Sequence, residues 1–190
     1  MERKAVLKWL KIFSAGFFIL SIVELLNLIS FSFLVNLTLD STQYNIFSVI
    51  FQSGFMTAHA MLLWIILLCV ICSFIVLSLT IFRVAKKNTI ENHLLAKFLL
   101  LIGLFLIIGG FIKTNFIVLL GNGNLNTIMP VLPVLPDTLQ NVIYWQSLFG
   151  TLMWIYFIIV TSCFLISGLI FGGIGLKWTL LIQEEETSNK

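Results

Sequence analysis

A glutamate stands near the middle of the first long apolar run of the sequence. If the run is helical, Glu24 lies about 18 Å from its start at Ile12. A carboxylate at that depth is costly in a membrane and often marks a functional site. Ser21, Asn27 and Ser30 recur around it at three-residue spacing, which places these polar side chains on one helix face.

A lysine in the third apolar run lies at a similar depth. Lys113 is about 22 Å from the start of its run at Phe98, so its side chain can reach the level of Glu24. We therefore predict an intramembrane polar cluster of Ser21, Glu24, Asn27 and Lys113. Three alternatives follow: the two charges pair, they handle protons or ions, or Lys113 extends to the outer surface while Glu24 stays protonated or bonds to its own helix.

The composition places these residues in a membrane protein. The chain of 190 residues is 59% hydrophobic and only 10% charged, whereas soluble proteins carry about a quarter of charged residues. Crossing a bilayer takes about 20 apolar residues. Four runs are long enough, and the first is too long for a secretory signal. We predict an all-α integral membrane four-helix bundle, a single domain over 1–190, with spans of about 12–35, 58–82, 98–120 and 153–176.

The basic residues predict the orientation of the spans. Lys and Arg precede the first span, separate the second from the third and follow the fourth, but are absent from Asn36–Asn45 and Gly121–Asn141. By the positive-inside rule, both termini and the middle loop are cytoplasmic, in a multi-pass protein of the cell membrane. The lipid bilayer is the first expected partner, with a membrane protein or a second copy next. The sequence has no basic-aromatic pattern of a nucleic-acid binder.

One phrase occurs twice outside the predicted spans. Residues 40–55 read "DSTQYNIFSVIFQSGF" and residues 137–149 read "DTLQNVIYWQSLF". Asp followed by Gln three residues later, before an apolar run, is typical of a helix start. We therefore predict helix caps at two pairs of residues: Asp40 with Gln43, and Asp137 with Gln140.

The distance from these caps to the cytoplasmic charges exceeds the thickness of a membrane. Each returning segment has about 40 residues, roughly 60 Å of helix, and the hydrocarbon core is about 30 Å thick. Helices 2 and 4 should therefore extend on the outer side, with bends at Gly54 and Gly150. Trp64 and Trp154 are predicted to mark the outer interface.

The recurrence also predicts an internal repeat. Residues 1–90 and 91–190 are candidate halves, each a helical hairpin, and Phe74 matches Phe164 at an offset of 90. Parallel repeats of this kind are related by an axis along the membrane normal. The alternative is that two apolar helices share common residues by chance.

Cysteine and histidine residues offer little chemistry. Cys69 and Cys72 form a C-x-x-C on one face of the second span, which a thiol oxidoreductase would use, but packing as small hydrophobes is the favoured role. His59 and His93 are predicted to lie far apart, without a carboxylate cluster. We predict no catalytic, cofactor-binding or metal-binding residue.

Small residues in the fourth span predict close helix packing. Gly168 and Gly172 form a G-x-x-x-G, a spacing that lets two helices approach in lipid. The partner is either the third span, which carries Gly103, or another subunit.

Two stretches resemble a known family. "FRVAKKNTIENHLLAKFLLLIG" (82–103) and "GLIFGGIGLKWTLLIQEEETSNK" (168–190) resemble the basic middle loop and the Gly-rich, acidic ending of a prokaryotic four-helix membrane family of unknown function. Its members are often encoded beside small helix-turn-helix regulators. The resemblance implies a regulatory or accessory membrane protein and names no site.

These observations favour a protein that acts through helix or loop contacts with a partner, rather than an enzyme. The alternative is a small transporter or ion-conducting subunit that uses Glu24 and Lys113. A more distant one is a membrane thiol oxidoreductase that uses Cys69 and Cys72.

Overall fold

Four long helices form most of the protein. The computed structural model describes residues 3–39, 41–52, 55–56, 59–86, 91–125 and 138–188. In chain order the elements are α1 (Arg3–Leu34), β1 (Asn36–Leu39), β2 (Thr42–Asn45), α2 (Ile46–Phe51), α3 (His59–Lys86), α4 (Asn92–Gly121), α5 (Leu139–Gln146) and α6 (Leu148–Ser188). Within these residues, α1, α3, α4 and α6 are the helices that are long and apolar enough to cross a membrane. The chain is a multi-pass, predominantly α-helical membrane protein.

The helices extend beyond the predicted apolar spans. α1 has 32 residues and α6 has 41, or about 48 Å and 62 Å of helix. The hydrocarbon core takes only about 30 Å. The extra turns carry much of the charge: α1 begins at Arg3 and α6 continues past Lys177. The charged residues at the start of α1, in the last turn of α3 and toward the end of α6 are thus helical rather than loop residues.

The segment after α1 is a β-hairpin and not the start of the second long helix. β1 pairs with β2 in antiparallel register, from Asn36 opposite Asn45 to Leu39 opposite Thr42. Leu37 and Leu39 are fully buried and alternate with exposed residues, as in a strand with one buried face. Ser41, directly before β2, has a positive φ of 68°, which is typical of hairpin turns.

The hairpin makes the first predicted cap wrong. Gln43 lies in β2, where the backbone pairs with the neighbouring strand, so it does not cap a helix. Asp40 lies outside the described residues. The helix begins later, at Ile46, and Asn45 is its N-cap: the side-chain oxygen of Asn45 accepts from the backbone N–H of Ser48 at 2.7 Å.

The second predicted cap also differs from the structure. α5 begins at Leu139, and Thr138 is its N-cap, with its side chain accepting from the backbone N–H of Asn141. Asp137 lies outside the described residues. Gln140 donates to the hydroxyl of Tyr144 at 2.9 Å, because it already lies in the first turn and points along the helix.

Each repeated phrase forms a short helix that is followed by a long one. Gln52 is the C-cap of α2, and Ser147 is the C-cap of α5, with φ −142° and ψ 103°. The hydroxyl of Ser147 accepts from the backbone N–H of Gly150 at 3.0 Å and so caps the start of α6. The predicted bend at Gly150 therefore occurs three residues earlier, because a serine there can cap the new helix. The other predicted bend, at Gly54, lies outside the described residues.

Contacts divide the chain into two compact units. The first unit comprises Met1–Leu20, Ser73–Ile112 and Thr161–Lys190. Phenylalanine rings form its centre: Phe74 and Phe164 lie 4.8 Å apart between ring centroids, and Phe17 lies 4.9 Å from Phe164. Such edge-to-face contacts stabilise aromatic cores beyond the area that they bury.

The second unit comprises Ser21–Cys72 and Lys113–Val160. Its core contains the buried residues of β1, α2 and α5 together with Phe31 and Trp154, whose ring centroids lie 5.6 Å apart. Trp154 is only 2% exposed and is a core residue, not the interface marker that its spacing predicted. Trp64 is partly buried and donates its indole N–H to the hydroxyl of Ser32 at 2.9 Å.

Candidate functional site

A buried ion pair joins the first and third long helices within the second unit. The ammonium of Lys113 on α4 contacts the carboxylate of Glu24 on α1, and both side chains are 0% exposed. The structure thus brings together the two charged residues that the depth argument connected. We call them the Glu24–Lys113 pair.

Helical periodicity turns Glu24 inward. Ser21, Glu24, Leu28 and Phe31 repeat at spacings of three and four residues, and each is at most 1% exposed. Leu26, on the opposite face of α1, is 56% exposed, as suits a residue that faces lipid. The carboxylate therefore lies in the row of side chains that builds the core.

The same pattern places the lysine. Lys113, Ile117 and Leu120 are spaced by four and three residues on α4 and are at most 3% exposed. Val118 and Leu119 lie between them on the outer face and are exposed. Lys113 is among the largest fully buried side chains of the protein, so its four-carbon chain contributes packing as well as charge.

The other two residues of the predicted cluster, Ser21 and Asn27, lie on the same helix as Glu24. Ser21 is fully buried, one turn before Glu24. Asn27 donates from its side-chain nitrogen to the backbone carbonyl of Met153 on α6 at 3.2 Å. The polar face of α1 therefore serves two neighbours: Glu24 contacts α4, and Asn27 holds α6.

Close contact between the Glu24 carboxylate and the Lys113 ammonium offsets part of the free-energy cost of burying them. Removing a carboxylate and an ammonium from water costs several kcal/mol per ion, and their mutual attraction offsets this cost only at close contact. Among the described residues, the Glu24 oxygens make no hydrogen bond besides the ion pair. The carboxylate therefore depends on Lys113 for its stabilisation, and loss of either partner would leave a buried charge.

A further polar contact, absent from the sequence predictions, connects α5 to the hairpin. The amide side chain of Gln146 accepts from the backbone N–H of Thr38 at 2.6 Å and donates to the Thr38 carbonyl at 3.0 Å. It thereby pairs with β1 as a residue of a neighbouring strand would. The repeated Gln-Ser draws attention to Gln146 in the sequence. Its partner Thr38, 108 residues away, cannot be predicted from the local sequence.

Glycines bring α4 and α6 into backbone contact within the first unit. A Cβ atom added to Gly103 would overlap the backbone of Gly172 and lie 2.7 Å from the carbonyl oxygen of Gly168. Of the two partners proposed for the G-x-x-x-G, the structure shows the third span of the same chain. For Gly173, the next residue along α6, such a Cβ meets no atom within 4 Å among the described residues outside the adjacent backbone of its own helix. Close approach is thus specific to one face of α6.

The cysteines do not pack in the core. Cys69, Cys72 and Cys163 are free and exposed, on the outward faces of their helices. Their row of α3 faces away from the bundle, so the favoured role of Cys69 and Cys72 as small hydrophobes does not involve the core and stays a prediction. Among the described residues, no group of three His, Cys, Asp or Glu side chains is placed to hold a metal ion.

Comparisons with known proteins add no relative. No protein-family model matches the chain, and neither a curated protein nor a solved structure is similar to it. The resemblance to a prokaryotic four-helix membrane family stays a prediction.

Proposed function

We propose that this protein is an accessory or regulatory subunit of the cell membrane that acts through contacts of its helices and loops with a membrane partner. The burial of the Glu24–Lys113 pair supports this proposal most directly. Both intramembrane charges are 0% exposed and satisfied by each other, so they act inside the bundle rather than on a substrate. What a partner meets is the outer surface of the helices and the loops.

The surface offers apolar contact area at one end of α6. Trp145, Leu148, Phe149 and Leu152 lie within two turns of the α5–α6 junction and are each more than half exposed. Aromatic residues of this kind are suited to the membrane interface and to protein contacts. This junction is the first candidate for a contact with a partner.

The proposed architecture is a tandem repeat of two helical hairpins. α1 and α4 begin 89 residues apart, at Arg3 and Asn92, and α3 and α6 begin 89 residues apart, at His59 and Leu148. The short helices α2 and α5 both bury a Val-Ile pair and both end at an extended residue. Equivalent elements therefore occur in the same order in both halves.

Contacts within the first unit also occur as equivalent pairs. Phe17 contacts Phe164 at 4.9 Å, and Phe74 contacts Phe105 at 6.4 Å between ring centroids. An offset of 88 relates Phe17 to Phe105 and an offset of 90 relates Phe74 to Phe164. Reciprocal contacts of this form are those of a two-fold interface, in which residue i contacts j and j contacts i.

The repeat gives the ion pair a simple origin. Glu24 and Lys113 are also 89 residues apart, and a residue that contacts its own equivalent lies next to the two-fold axis. Two identical halves would bring two like charges together at that position, and like charges in close contact repel. Divergence of the halves within one chain allows opposite charges there instead.

The proposed orientation has both termini and the loop between α3 and α4 in the cytoplasm. It is supported by the exposed basic residues near those ends, among them Lys8, Arg83 and Lys97. In a background without the native cysteines, we expect Lys86→Cys to be protected from an impermeant thiol reagent in whole cells and Asn122→Cys to be labelled. The reverse pattern would overturn the orientation.

Affinity purification tests the proposed function. The tagged chain, extracted from its native membrane in a mild detergent, is expected to retain a membrane protein at fixed stoichiometry. A Trp145→Ser, Phe149→Ser variant should lose that partner while folding normally, because the exposed rings contribute no core packing. Purification of the chain alone, with no partner at any detergent concentration that keeps it folded, would contradict the proposal.

A proton- or ion-conducting function is the second candidate. Apolar residues of similar volume often stabilise a fold as well as a buried ion pair does, or better. Stability alone therefore does not account for two ionisable residues at this position, and such residues inside a membrane often mark a path for protons or ions. Proteoliposomes distinguish the two functions: a conductor should pass protons at a rate that Glu24→Gln with Lys113→Met abolishes. Equal leak rates for that double variant and the native chain would support the accessory function.

A further inference from the structure

An apolar groove opens on the surface of the first unit. It has a volume of about 420 Å³ and is lined mainly by two helices, with Trp9, Leu10 and Phe13 on α1 and Ser167, Phe171 and Ile174 on α6. Apart from Ser167, these side chains are apolar or aromatic. Leu99 of α4 forms part of the floor.

Close packing on either side creates the groove. Gly103 and Gly172 draw α4 and α6 together, whereas the rings of Phe13 and Phe171 meet edge to face at 4.4 Å and hold α1 beside α6. The stripe of α6 between these contacts is therefore left uncovered by protein. Trp9 stands at the rim and is 64% exposed.

The groove lies on helices that cross the membrane, so hydrocarbon is the medium that meets it. Its size favours a single acyl chain over a partner helix. Two turns of a helix about 10 Å across occupy roughly 850 Å³, about twice the volume of the groove. A helix would rest on the rim and leave the floor unfilled.

A basic residue, Lys177, lies just beyond the end of the groove on α6. Ser167, Ile174 and Lys177 lie on one face, because they are spaced by seven and three residues, and Lys177 is exposed. Trp9 at the same end of the unit provides an amphipathic ring that suits the headgroup region. One turn beyond Ile174, the apolar groove is thus followed by an ammonium, which complements a lipid phosphate.

We infer that this groove is a binding site for an anionic phospholipid, with one acyl chain against Phe13 and Phe171 and the phosphate at Lys177. The inference depends on the membrane location of the chain and not on the proposed partner. A basic residue near the surface contributes about fivefold to the binding of anionic lipid. Lys177 should therefore give the groove a preference for anionic over zwitterionic headgroups.

Quenching of Trp9 fluorescence tests the site. In a variant that keeps Trp9 and carries Phe at the other four tryptophans, brominated phosphatidylglycerol or brominated phosphatidylcholine is supplied at equal mole fraction in phosphatidylcholine vesicles. We expect phosphatidylglycerol to quench with about fivefold higher apparent affinity. Lys177→Gln should remove that preference.

Lys86→Gln is the matched control. Lys86 is likewise an exposed lysine and lies in the last turn of α3, but α3 contributes no residue to the groove. We expect the preference to survive this change. Equal quenching by both lipids, or equal loss in the two lysine variants, would overturn the site and show only general attraction to a basic end.

A second measurement tests the same inference if the single-tryptophan variant folds poorly. Native mass spectrometry of the protein with all its tryptophans, from micelles with equal amounts of the two lipids, should show retained phosphatidylglycerol. Lys177→Gln should lower the retained amount about fivefold and Lys86→Gln should not. Retention of both lipids in equal amounts would contradict the inference.

Discussion

Different contacts stabilise the interior of each of the two units of this protein. The first relies on aromatic rings and on glycines that let backbones touch, as at Gly103 against Gly172. The second uses polar contacts: the Glu24–Lys113 pair, the bond from Asn27 to Met153, and Gln146 on the hairpin. Shape complementarity suffices where helices pack in lipid, whereas polar bonds specify which groups must meet. The comparison predicts that the two units respond to mutation in different ways.

Breaking the ion pair should have the largest effect. Glu24→Gln leaves the Lys113 ammonium buried without its counter-ion, and we expect a loss of about 3–5 kcal/mol in the free energy of unfolding. Denaturant titration in detergent micelles measures it. Ser30→Ala, on a less buried position of the same helix, is the control and should change stability by less than about 1 kcal/mol. Comparable losses in the two variants would mean that the pair has no special part in the second unit.

Closing the glycine contact should have an intermediate effect. Gly103→Ala forces a Cβ into the backbone of Gly172, so we expect a loss of about 1–3 kcal/mol. Gly173→Ala is the matched control on α6, where a Cβ meets open space. It should be neutral or stabilising by about 0.5–1 kcal/mol, because alanine favours a helix over glycine. If both alanines behave alike, backbone contact does not stabilise the first unit.

The smallest effect is expected at the hairpin. Gln146→Ala removes two hydrogen bonds that are exposed to solvent, so the loss should be about 1 kcal/mol. Hydrogen exchange is the more specific measurement: the Thr38 amide should exchange faster, while the Ser48 amide, bonded to Asn45, should not change. Unchanged protection of Thr38 would show that the contact is not maintained in solution.

The four long apolar helices and the connection between Glu24 and Lys113 could be predicted from the sequence, because both inferences depend on one dimension. Hydropathy gives the length of an apolar run, and a rise of 1.5 Å per residue converts position into depth. Glu24 and Lys113 could therefore be connected without knowing the packing. The exposed cysteines show the limit, because depth alone does not tell which face of α3 meets the bundle.

The outer segments were harder to predict because their signals are shared by several structures. Asp followed by Gln three residues later is typical of a helix start, yet here Gln43 lies in β2 of a hairpin. The alternation of Asn36, Leu37, Thr38 and Leu39, followed by two polar residues, is the period-two signal of a hairpin. Contacts such as Gln146 with Thr38 depend on the tertiary fold and leave no local pattern.

A double-mutant cycle on Glu24 and Lys113 tests the central claim most directly, namely that the two buried charges stabilise each other inside the bundle. The measured quantity is the free energy of unfolding of the native chain, Glu24→Gln, Lys113→Met and the double variant. We predict that the double variant is more stable than Glu24→Gln alone, because Met removes the stranded ammonium and keeps most of its volume, with a coupling energy of about 2 kcal/mol or more. A double variant that loses the sum of the two single losses would contradict the pairing.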